Sequence, residues 1–472
     1  MIIGLIIFAL SILLLLGGYF FYGKLAERLY GVDVHMQMPC TLRADGVDYV
    51  AMPAWRVFMI QLLNIAGLGP VFGAIAGCLF GPVCLIWIVC GCILAGAVHD
   101  FYAAVASAEE GGCNLPGLIG KYLGRPANIM MNAVCLLLMF MVGVVFTVGP
   151  ADMLHAQISG ISAFCWCTII IVYYFMATVL PINVIIGKIY PFFGALFLFM
   201  AIALAVQLPL SGHEICPQRD FFANLHPTAA SVWPALCITI ACGAISGFHA
   251  TQSPMMVRCL AAGGQMRSVF YGAMITEGIV ALVWALAGLT LREALDLDAV
   301  KPAVAVNLIC AELLGPVGAF FAVLGVVVLP ITSGDTAMRC CRLMLAEVLK
   351  FKQTAIWNRC VLSVPLFVLV VMTSTTDFNV IWGYFGWLNQ VLASITLWAL
   401  AVLMKRRGRF HWVVSVPAFF LTNVCLCFLL ISPDFGIGLS LPMANAVSLL
   451  LAGVMYGIYL LRGMPSPSKS AS

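Results

Sequence analysis

Apolar segments of about twenty residues recur along the whole chain, and they constrain its fold more than any other feature. Each segment is long enough to cross about 30 Å of hydrocarbon as a helix. Of the 472 residues, 63% are hydrophobic and 9% are charged, and the mean hydropathy is +1.08. A water-soluble domain has too little interior to bury that much apolar side chain. The sequence therefore predicts an all-α polytopic membrane protein without a soluble domain.

A windowed hydropathy profile predicts about 13 transmembrane helices. They lie at about residues 1–23, 55–80, 83–107, 127–149, 162–181, 189–210, 232–257, 268–290, 314–332, 358–376, 379–404, 411–431 and 441–461. The first is interpreted as a retained helix because its apolar core has no basic region before it and no small-residue cleavage site after it.

The distribution of lysine and arginine supports this set of spans. With the N-terminus outside, the segments that follow odd-numbered spans contain twenty of the 23 basic residues, and the opposite side keeps only Arg219, Arg292 and Lys301. Such an excess is typical of cytoplasmic loops. The sequence thus predicts an N-terminus outside and a C-terminus in the cytoplasm. The net charge of +4 follows from this topology and gives no support to nucleic-acid binding.

Two spans carry polar or helix-breaking residues near the membrane centre. Span 2 reads QLLNIAGLGPVFGAIAG, with Gly67, Gly69 and Pro70, and span 7 contains SGFHATQSP at residues 246–254. The two spans are five apart, so they run in opposite directions. This pattern is typical of secondary transporters that build a midplane site from two discontinuous helices.

The chain then divides around two repeats of five spans. The predicted parts are a peripheral helix 1–23, a cytoplasmic loop 24–54, repeat units 55–210 and 232–404, two C-terminal helices 411–461, and a disordered cytoplasmic tail 462–472. In each broken span a second half-helix is expected to start afresh, at Pro70 and, capped by Ser253, at Pro254.

A helix start presents free N–H groups and a partial positive charge, which suits a carboxylate. The breaks therefore predict a polar pocket that binds an anionic group. Its candidate substrate-binding residues are Gly67, Gly69, Pro70, Ser246, Gly247, His249, Thr251, Gln252, Ser253 and Pro254.

Acidic side chains inside apolar spans are costly and need a functional or structural reason. Glu277 lies near the middle of span 8, Asp100 in the cytoplasmic third of span 3, and Asp335 just after span 9. Glu277 is the favoured proton site, because a buried carboxylate can carry a proton and no basic residue is near it in sequence. Asp100 and Asp335 fit a coupling role and a structural pairing, for example with Arg258 or Arg339, equally well.

Other polar residues also admit two interpretations. His249 can bind substrate, shuttle protons or hydrogen-bond a carbonyl. Thr332 and Ser333, at the end of span 9, either cap the helix that follows or offer hydroxyl oxygens to a sodium ion. Buried amides are first of all candidates for interhelical hydrogen bonds, and these are Gln61, Asn64, Asn389 and Gln390.

No enzyme, metal or cofactor is predicted. The 19 cysteines include no C-x-x-C pair and no Cys/His cluster with zinc spacing, and they fit small buried hydrophobes. Paired aspartates, a Ser/His dyad and an H-E-x-x-H motif are all missing from the sequence. A channel is disfavoured because the chain has no filter repeat. A nutrient sensor without transport stays open as an alternative, and the sequence does not indicate an oligomeric state.

Five stretches resemble the carbon starvation protein family (CstA-type). They are GVDYVAMPAWRVFMIQLLNIAGLGP, GPVCLIWIVCGCILAGAVHDF, ACGAISGFHATQSPMMVRCL, VFYGAMITEGIVALVWA and ITSGDTAMRCCRL, in order between about residues 19 and 390. The resemblance implies a bacterial cytoplasmic-membrane transporter that takes up peptides or pyruvate during carbon starvation. It also implies a LeuT-like 5+5 inverted repeat, in which Thr332 and Ser333 match a helix that often supplies sodium ligands.

Two departures from the family pattern bear on function. Members often carry a His-His pair where this chain has Gln61 and Leu62, so coupling or specificity is expected to differ. Many members are also longer at the C-terminus, so this chain is expected to be a short form. The main prediction is a symporter, coupled to protons or alternatively to sodium, that imports pyruvate, a short peptide or another small carboxylate or amino acid across the lipid bilayer.

Overall fold

The structure, a computed structural model, describes residues 2–44, 49–179, 186–218, 220–353, 355–433 and 436–461. Arg219 and the predicted tail 462–472 lie outside this part of the chain. The described residues form helices joined by turns, and their only bridge of β type is the isolated pair Met52 and Leu260. The all-α prediction is therefore confirmed.

The helices follow the predicted order of apolar segments. Those before residue 211 are Ile2–Gly17, Gly18–Tyr22, Gly23–Tyr30, Pro39–Leu42, Ala54–Ala66, Gly69–Gly73, Ala74–Cys78, Val83–Gly91, Cys92–Gly96, Ala97–Glu109, Leu115–Leu123, Arg125–Gln157, Ala163–Val179 and Ile186–Leu210. Those after it are Val232–Thr239, Gly247–Val257, Gly263–Gln265, Arg267–Tyr271, Gly272–Leu291, Leu297–Ala299, Pro302–Val348, Ile356–Thr373, Phe378–Arg406, Trp412–Ile431 and Leu441–Leu461.

Ten helices in the described residues are long and apolar enough to cross a membrane, and a bent pair raises the number to 11. The other two predicted spans coincide with the shorter apolar helix Ala163–Val179 and with the pair Val232–Thr239 and Gly247–Val257. The chain is therefore a multi-pass membrane protein.

Two helices are broken, as the sequence predicts. We call Ala54–Ala66 with Gly69–Cys78 the first broken helix, which bends by 53°. Val232–Thr239 with Gly247–Val257 is the second broken helix. The first half of each packs against the second half of the other, so the two lie antiparallel. This is the inverted relationship that their odd spacing in sequence requires.

The helix Gly263–Leu291 lies at the centre of the molecule, with 89% of its most apolar window buried by protein. The corresponding share is 22% for Ile356–Thr373 and for Leu441–Leu461, which therefore lie at the periphery. Glu277 thus belongs to the helix that protein encloses most completely, away from lipid.

Two helices run beyond their predicted ends. The first continues from residue 23 to Tyr30 and stops where Gly31 takes a left-handed φ of +73°. Span 9 was predicted to end at residue 332, but Pro302–Val348 is one helical element with a kink at Gly315 (φ +67°). Hydropathy marks only the apolar part of a helix, whereas backbone hydrogen bonding continues into the polar part.

Candidate functional site

The first break is built from glycines that pack closely. Gly67 has a φ of +38°, and a Cβ there would lie 2.7 Å from the ring of Phe146. The carbonyl of Leu68 then accepts the N–H groups of Val71 and Phe72, which starts the second half-helix. Pro70 is the second residue of that half-helix, within one position of its predicted place. The sequence therefore located this break well.

The second break lies earlier than the sequence predicts. Val232–Thr239 and Gly247–Val257 leave residues 240–246 between them. The prediction that Ser253 caps a half-helix beginning at Pro254 is wrong, because Pro254 lies inside Gly247–Val257. Neighbouring groups in a membrane protein can compensate for the hydrogen bond that an internal proline omits.

The start of Gly247–Val257 is capped from a distant helix rather than locally. Oδ1 of Asn389 accepts the N–H of Phe248 at 3.1 Å and the hydroxyl of Ser246 at 2.7 Å. The next residue, Gln390, donates from Nε2 to two carbonyls of residues 237–245. Both amides therefore make the interhelical hydrogen bonds predicted for them. A cap 141 residues away in sequence carries no local signal, which explains the misplaced helix start.

A buried cluster of ionisable side chains lies beside this second break. Nδ1 of His249 is 3.0 Å from Oδ2 of Asp100, and Nε2 of His249 is 3.5 Å from Oε2 of Glu277. Oδ1 of Asp100 is also 2.8 Å from Nδ1 of His99, and Oε1 of Glu277 accepts the N–H of Gly243 at 3.0 Å. The four side chains are 0% exposed. We call His99, Asp100, His249 and Glu277 the ionisable cluster.

The cluster brings together three residues that the sequence proposed separately. Asp100 is paired with histidines, and the arginine partner considered for it is replaced by His249. Nε2 of His249 and Oε2 of Glu277 have no hydrogen-bond partner among the described residues. Unpaired polar atoms are rare in buried surroundings. Alternating carboxylates and imidazoles can also hold a proton at successive positions.

Sequence reasoning did not foresee the contribution of Cys242. Its Sγ, a ring nitrogen of His249 and a carboxylate oxygen of Glu277 all lie within 4.8 Å of one another. A Cβ on Gly69 would lie 2.0 Å from Cβ of Cys242, so the two breaks touch at this pair. Only the fold brings these residues together, since they come from three different helices or breaks.

The other polar residues of SGFHATQSP bond mainly within the protein. The hydroxyl of Thr251 donates to the carbonyl of Phe248 in its own helix, and Nε2 of Gln252 donates to Thr251. Oγ of Ser253 accepts a hydrogen bond from Gln61 of the first broken helix. Of these, Ser253 joins the two broken helices, while Thr251 stabilises its own turn.

Thr332 and Ser333 lie inside Pro302–Val348, so their predicted position at a helix end is wrong. The hydroxyl of Thr332 donates to the carbonyl of Leu329, and that of Ser333 reaches the carbonyl of Leu63 at 3.5 Å. Leu63 belongs to the last turn before the first break, so Ser333 faces that break. Ser333, which the family resemblance matches to a sodium ligand, therefore presents its hydroxyl group to the backbone beside the first break.

Asp335 lies apart from the ionisable cluster. It accepts hydrogen bonds from the hydroxyls of Tyr173 at 2.8 Å and Thr336 at 2.9 Å. Neither partner belongs to the cluster. These contacts fit the structural role that the sequence left open for Asp335, with Tyr173 as its principal partner.

A cavity of about 460 Å³ lies beside the second half of the first broken helix. Its lining includes His226, Lys301 and Trp382. The rings of Phe72, Trp382 and Phe378 pack together there, with centroids 5.8–6.2 Å apart. Trp382 of this aromatic group lines the cavity, and Phe72 belongs to the second half of the first broken helix.

Three sequence relatives place the chain among membrane proteins. It is 39% identical over 337 residues to an uncharacterized membrane protein of Haemophilus influenzae, covering 61% of this chain and 91% of that protein. It is 24% identical over 545 residues to the peptide transporter CstA of Escherichia coli, covering 86% and 78%. The corresponding protein of Mycobacterium tuberculosis is 26% identical over 535 residues, covering 84% and 70%.

Solved structures share the fold at low sequence identity. The manganese transporter of Eremococcus coleocola, bound to an aromatic bis-isothiourea compound, has a TM-score of 0.53 and 16% identity, covering 89% of this chain and 97% of that one. Mhp1, a nucleobase-cation-symport-1 family transporter in a closed conformation, has a TM-score of 0.52 and 14% identity, covering 87% and 94%. The fold is therefore the LeuT-like arrangement that the sequence predicts.

The profile of the carbon starvation protein CstA family matches residues 3–161, 150–312 and 301–427. These matches span most of the chain, including both breaks and the whole ionisable cluster. This protein belongs to the carbon starvation protein CstA family.

Proposed function

We propose that this protein is a cation-coupled secondary transporter that imports a small carboxylate nutrient, either pyruvate or a short peptide. The observation that carries the proposal is the ionisable cluster, buried where two broken helices meet. Buried ionisable groups in such a place are typical of ion and substrate pathways. The names of the Escherichia coli and Mycobacterium tuberculosis relatives favour a peptide as substrate.

In this proposal a proton is the coupling ion, and Glu277 is the site that carries it. His249 links Glu277 to Asp100, so a charge change at one carboxylate is felt at the other. The cluster joins the second broken helix to the enclosed helix Gly263–Leu291 and to Ala97–Glu109. Moving a proton onto or off the cluster would therefore alter the attraction between the broken helix and its scaffold, which couples the proton to rocking of one part of the repeat unit against the rest.

The substrate carboxylate is proposed to bind at the first break. In the second break, Asn389 already accepts the N–H of Phe248, so that helix start is capped from within the protein. Among the described residues the helix start after the first break has no such side-chain cap, and Phe146 and Cys242 pack against its glycines Gly67 and Gly69. A carboxylate there would also lie near Gln61, which faces the second broken helix.

Sodium is the second candidate for the coupling ion. The hydroxyl of Ser333 lies 3.5 Å from the carbonyl of Leu63, just before the first break. Hydroxyl and carbonyl oxygens are the ligands that hard cations prefer. Strict sodium dependence of uptake would move the coupling site from Glu277 to Thr332 and Ser333.

The orientation follows from the distribution of basic residues. We place the N-terminus outside and the C-terminus in the cytoplasm of a bacterial inner membrane, with residues 55–210 and 232–404 as the two repeat units. The cavity lined by Lys301 and Trp382 then opens toward the outside, where an imported substrate would arrive.

Uptake into proteoliposomes tests the proposal. Labelled pyruvate and labelled dipeptides are offered with an imposed pH gradient, with a sodium gradient, and with neither. Accumulation above the equilibrium level that follows the pH gradient is expected. A protein that binds one of these compounds but never accumulates it would instead be a sensor, and absence of both binding and accumulation would rule out these substrates.

A further inference from the structure

Cys242, His249 and Glu277 present a sulfur, a nitrogen and an oxygen atom to one point inside the protein. The three ligand atoms lie within 4.8 Å of one another, and all three residues are at most 5% exposed. Nε2 of His249 and Oε2 of Glu277 are 3.5 Å apart. Two ligands held at about 2.0–2.1 Å from a tetrahedral zinc ion are about 3.3–3.4 Å apart. The separation thus fits two ligands of one ion.

The atoms behind these ligands are arranged as they are around metal ions. Nδ1 of His249 is 3.0 Å from a carboxylate oxygen of Asp100, which favours the tautomer whose Nε2 lone pair is free. Metal-binding histidines commonly have such a carboxylate partner. Oε1 of Glu277 is fixed by the N–H of Gly243, and Oε2 is left for another partner. Nε2 and Oε2 are among the buried atoms without a hydrogen bond in the described chain.

The position of Cys242 is set by the backbone of both breaks. The next residue, Gly243, has a φ of +88°, a backbone conformation that residues with a side chain rarely adopt. On the other side, a Cβ on Gly69 would come within 2.4 Å of Sγ of Cys242. The sulfur is therefore held at the contact between the breaks, beside the ring of His249.

The ligand types indicate a borderline divalent metal ion. Thiolate and imidazole ligands suit zinc and cobalt, whereas magnesium and calcium prefer oxygen ligands alone. A thiolate and a carboxylate would also balance the two positive charges of the ion, so no net charge would be buried at these three residues.

We infer that Cys242, His249 and Glu277 form a three-ligand site for a divalent ion of the zinc type, with Asp100 orienting His249. The ion would tie the second break to the helix Gly263–Leu291. A bound ion would also hold the second broken helix in place and stop transport. This expected inhibition of transport by zinc rests on the proposed function.

Cobalt binding to the purified full chain tests the site without any transport measurement. The protein in detergent is stripped with a chelator and titrated with Co²⁺, and the charge-transfer absorption of a cobalt–thiolate bond is recorded. One equivalent of Co²⁺ is expected to produce this band, and Zn²⁺ is expected to abolish it by displacing the cobalt. Cys242→Ser should remove the band, and Asp100→Asn should weaken binding by about 10–100-fold.

The matched control is Cys310→Ser, which alters another fully buried cysteine. The band should persist in this variant. Absence of the band in the native chain, or its persistence in Cys242→Ser, would overturn the site, since the 19 cysteines can bind metal adventitiously. If Cys242→Ser does not fold, the rise in thermal midpoint that Zn²⁺ causes is compared between Asp100→Asn and the native chain. A smaller rise in Asp100→Asn supports the site, and an equal rise contradicts it.

Uptake measured with and without Zn²⁺ then tests whether zinc bound at this site inhibits transport. The ratio of uptake with and without Zn²⁺ should be low in the native chain and in Cys310→Ser, and close to one in Cys242→Ser. Cobalt binding at Cys242 together with zinc-insensitive uptake would refute inhibition of transport by the bound ion, while the metal site itself would still stand. A chain that binds cobalt and transports none of the offered substrates would count against the proposed function alone.

Discussion

Gln61 donates a hydrogen bond from Nε2 to Oγ of Ser253 over 3.0 Å and so joins the first half of the first broken helix to the second half of the second. Both residues are fully buried. The hydrogen bond joins the two broken helices at a point five residues before the end of Ala54–Ala66 and six residues after the start of Gly247–Val257. It therefore links the two broken helices around which the proposed transport site is built.

Ser253→Ala should lower the stability of the protein by about 0.5–2 kcal/mol, because it leaves the buried amide of Gln61 without its partner. The double variant Gln61→Met with Ser253→Ala should recover much of this loss, since both polar groups are then removed. Unfolding of the purified protein in detergent measures both effects. Ser363→Ala is the matched control, because Ser363 is a buried serine whose hydroxyl has no hydrogen-bond partner in the part of the chain that the structure describes. Equal losses of stability in Ser253→Ala and Ser363→Ala would contradict a stabilising role for the hydrogen bond between Gln61 and Ser253.

The sequence predicted the breaks in number and relation better than in position. Gly67, Gly69 and Pro70 could be located because glycine and proline act on their own backbone. The second break was misplaced because its cap comes from Asn389, a residue that the chain brings there only through the fold. Thr332 and Ser333 were placed at a helix end for a related reason, because polar residues follow an apolar run there. In the structure they lie inside the helix Pro302–Val348, and their hydroxyl groups contact carbonyls of the protein.

The members of the site were predictable as residue types but not as a group. An acidic residue in an apolar span must have a reason, which singled out Asp100 and Glu277. Their connection through His249 depends on three helices meeting. Nothing in the sequence spacing of Cys242, His249 and Glu277 indicates that their ligand atoms lie within 4.8 Å of one another.

The free oxygen of Gln61 provides a way to distinguish peptides from pyruvate. Oε1 is buried and has no hydrogen-bond partner among the described residues, so it can accept a hydrogen bond from a bound substrate. A peptide has ammonium and amide donors, whereas pyruvate has none. Gln61→Met should therefore raise KM about tenfold for a dipeptide, equivalent to about 1.4 kcal/mol, and leave KM for pyruvate nearly unchanged. An equal rise for both substrates would place Gln61 in a structural role only.

Glu277→Gln should abolish accumulation driven by a pH gradient but allow exchange of substrate across the membrane. The amide oxygen of the glutamine can still accept the N–H of Gly243, so the break keeps its shape while the side chain can no longer carry a proton. Counterflow and gradient-driven uptake in proteoliposomes separate the two activities. Asp335→Asn is the comparison, because that buried carboxylate lies outside the ionisable cluster and its variant should still accumulate substrate. Normal accumulation by Glu277→Gln would remove Glu277 from coupling.

An ion pair near the end of three helices is expected to stabilise closure of the side of the molecule that we propose to face the cytoplasm. Nη2 of Arg407 is 2.8 Å from Oε2 of Glu109, which also accepts the hydroxyl of Tyr30 at 2.8 Å. Because the pair is partly exposed, its removal in Glu109→Gln should cost about 1 kcal/mol or less, at most a fivefold change in the ratio of open to closed forms. Hydrogen exchange of the helix ends should rise accordingly. The charge-reversed pair Glu109→Arg with Arg407→Glu should restore part of the protection, and identical exchange in all variants would exclude such a role.

Acidification should weaken the loop between Ile186–Leu210 and Val232–Thr239, which contains His226. Burial and the nearby Arg292 guanidinium lower the pKa of His226 below its ordinary value of 6.5. Its Nδ1 accepts hydrogen bonds from the backbone and the hydroxyl of Thr228, and both are lost when Nδ1 is protonated. The folded protein therefore binds fewer protons at this residue than the unfolded chain, so the stability contribution is complete above pH 6.5 and decreases as pH falls below it. The thermal midpoint of the native protein should drop more between about pH 7.5 and 5.5 than that of His226→Gln. The exposed His35→Gln should behave like the native protein, and an equal pH dependence of the native protein and His226→Gln would refute this assignment.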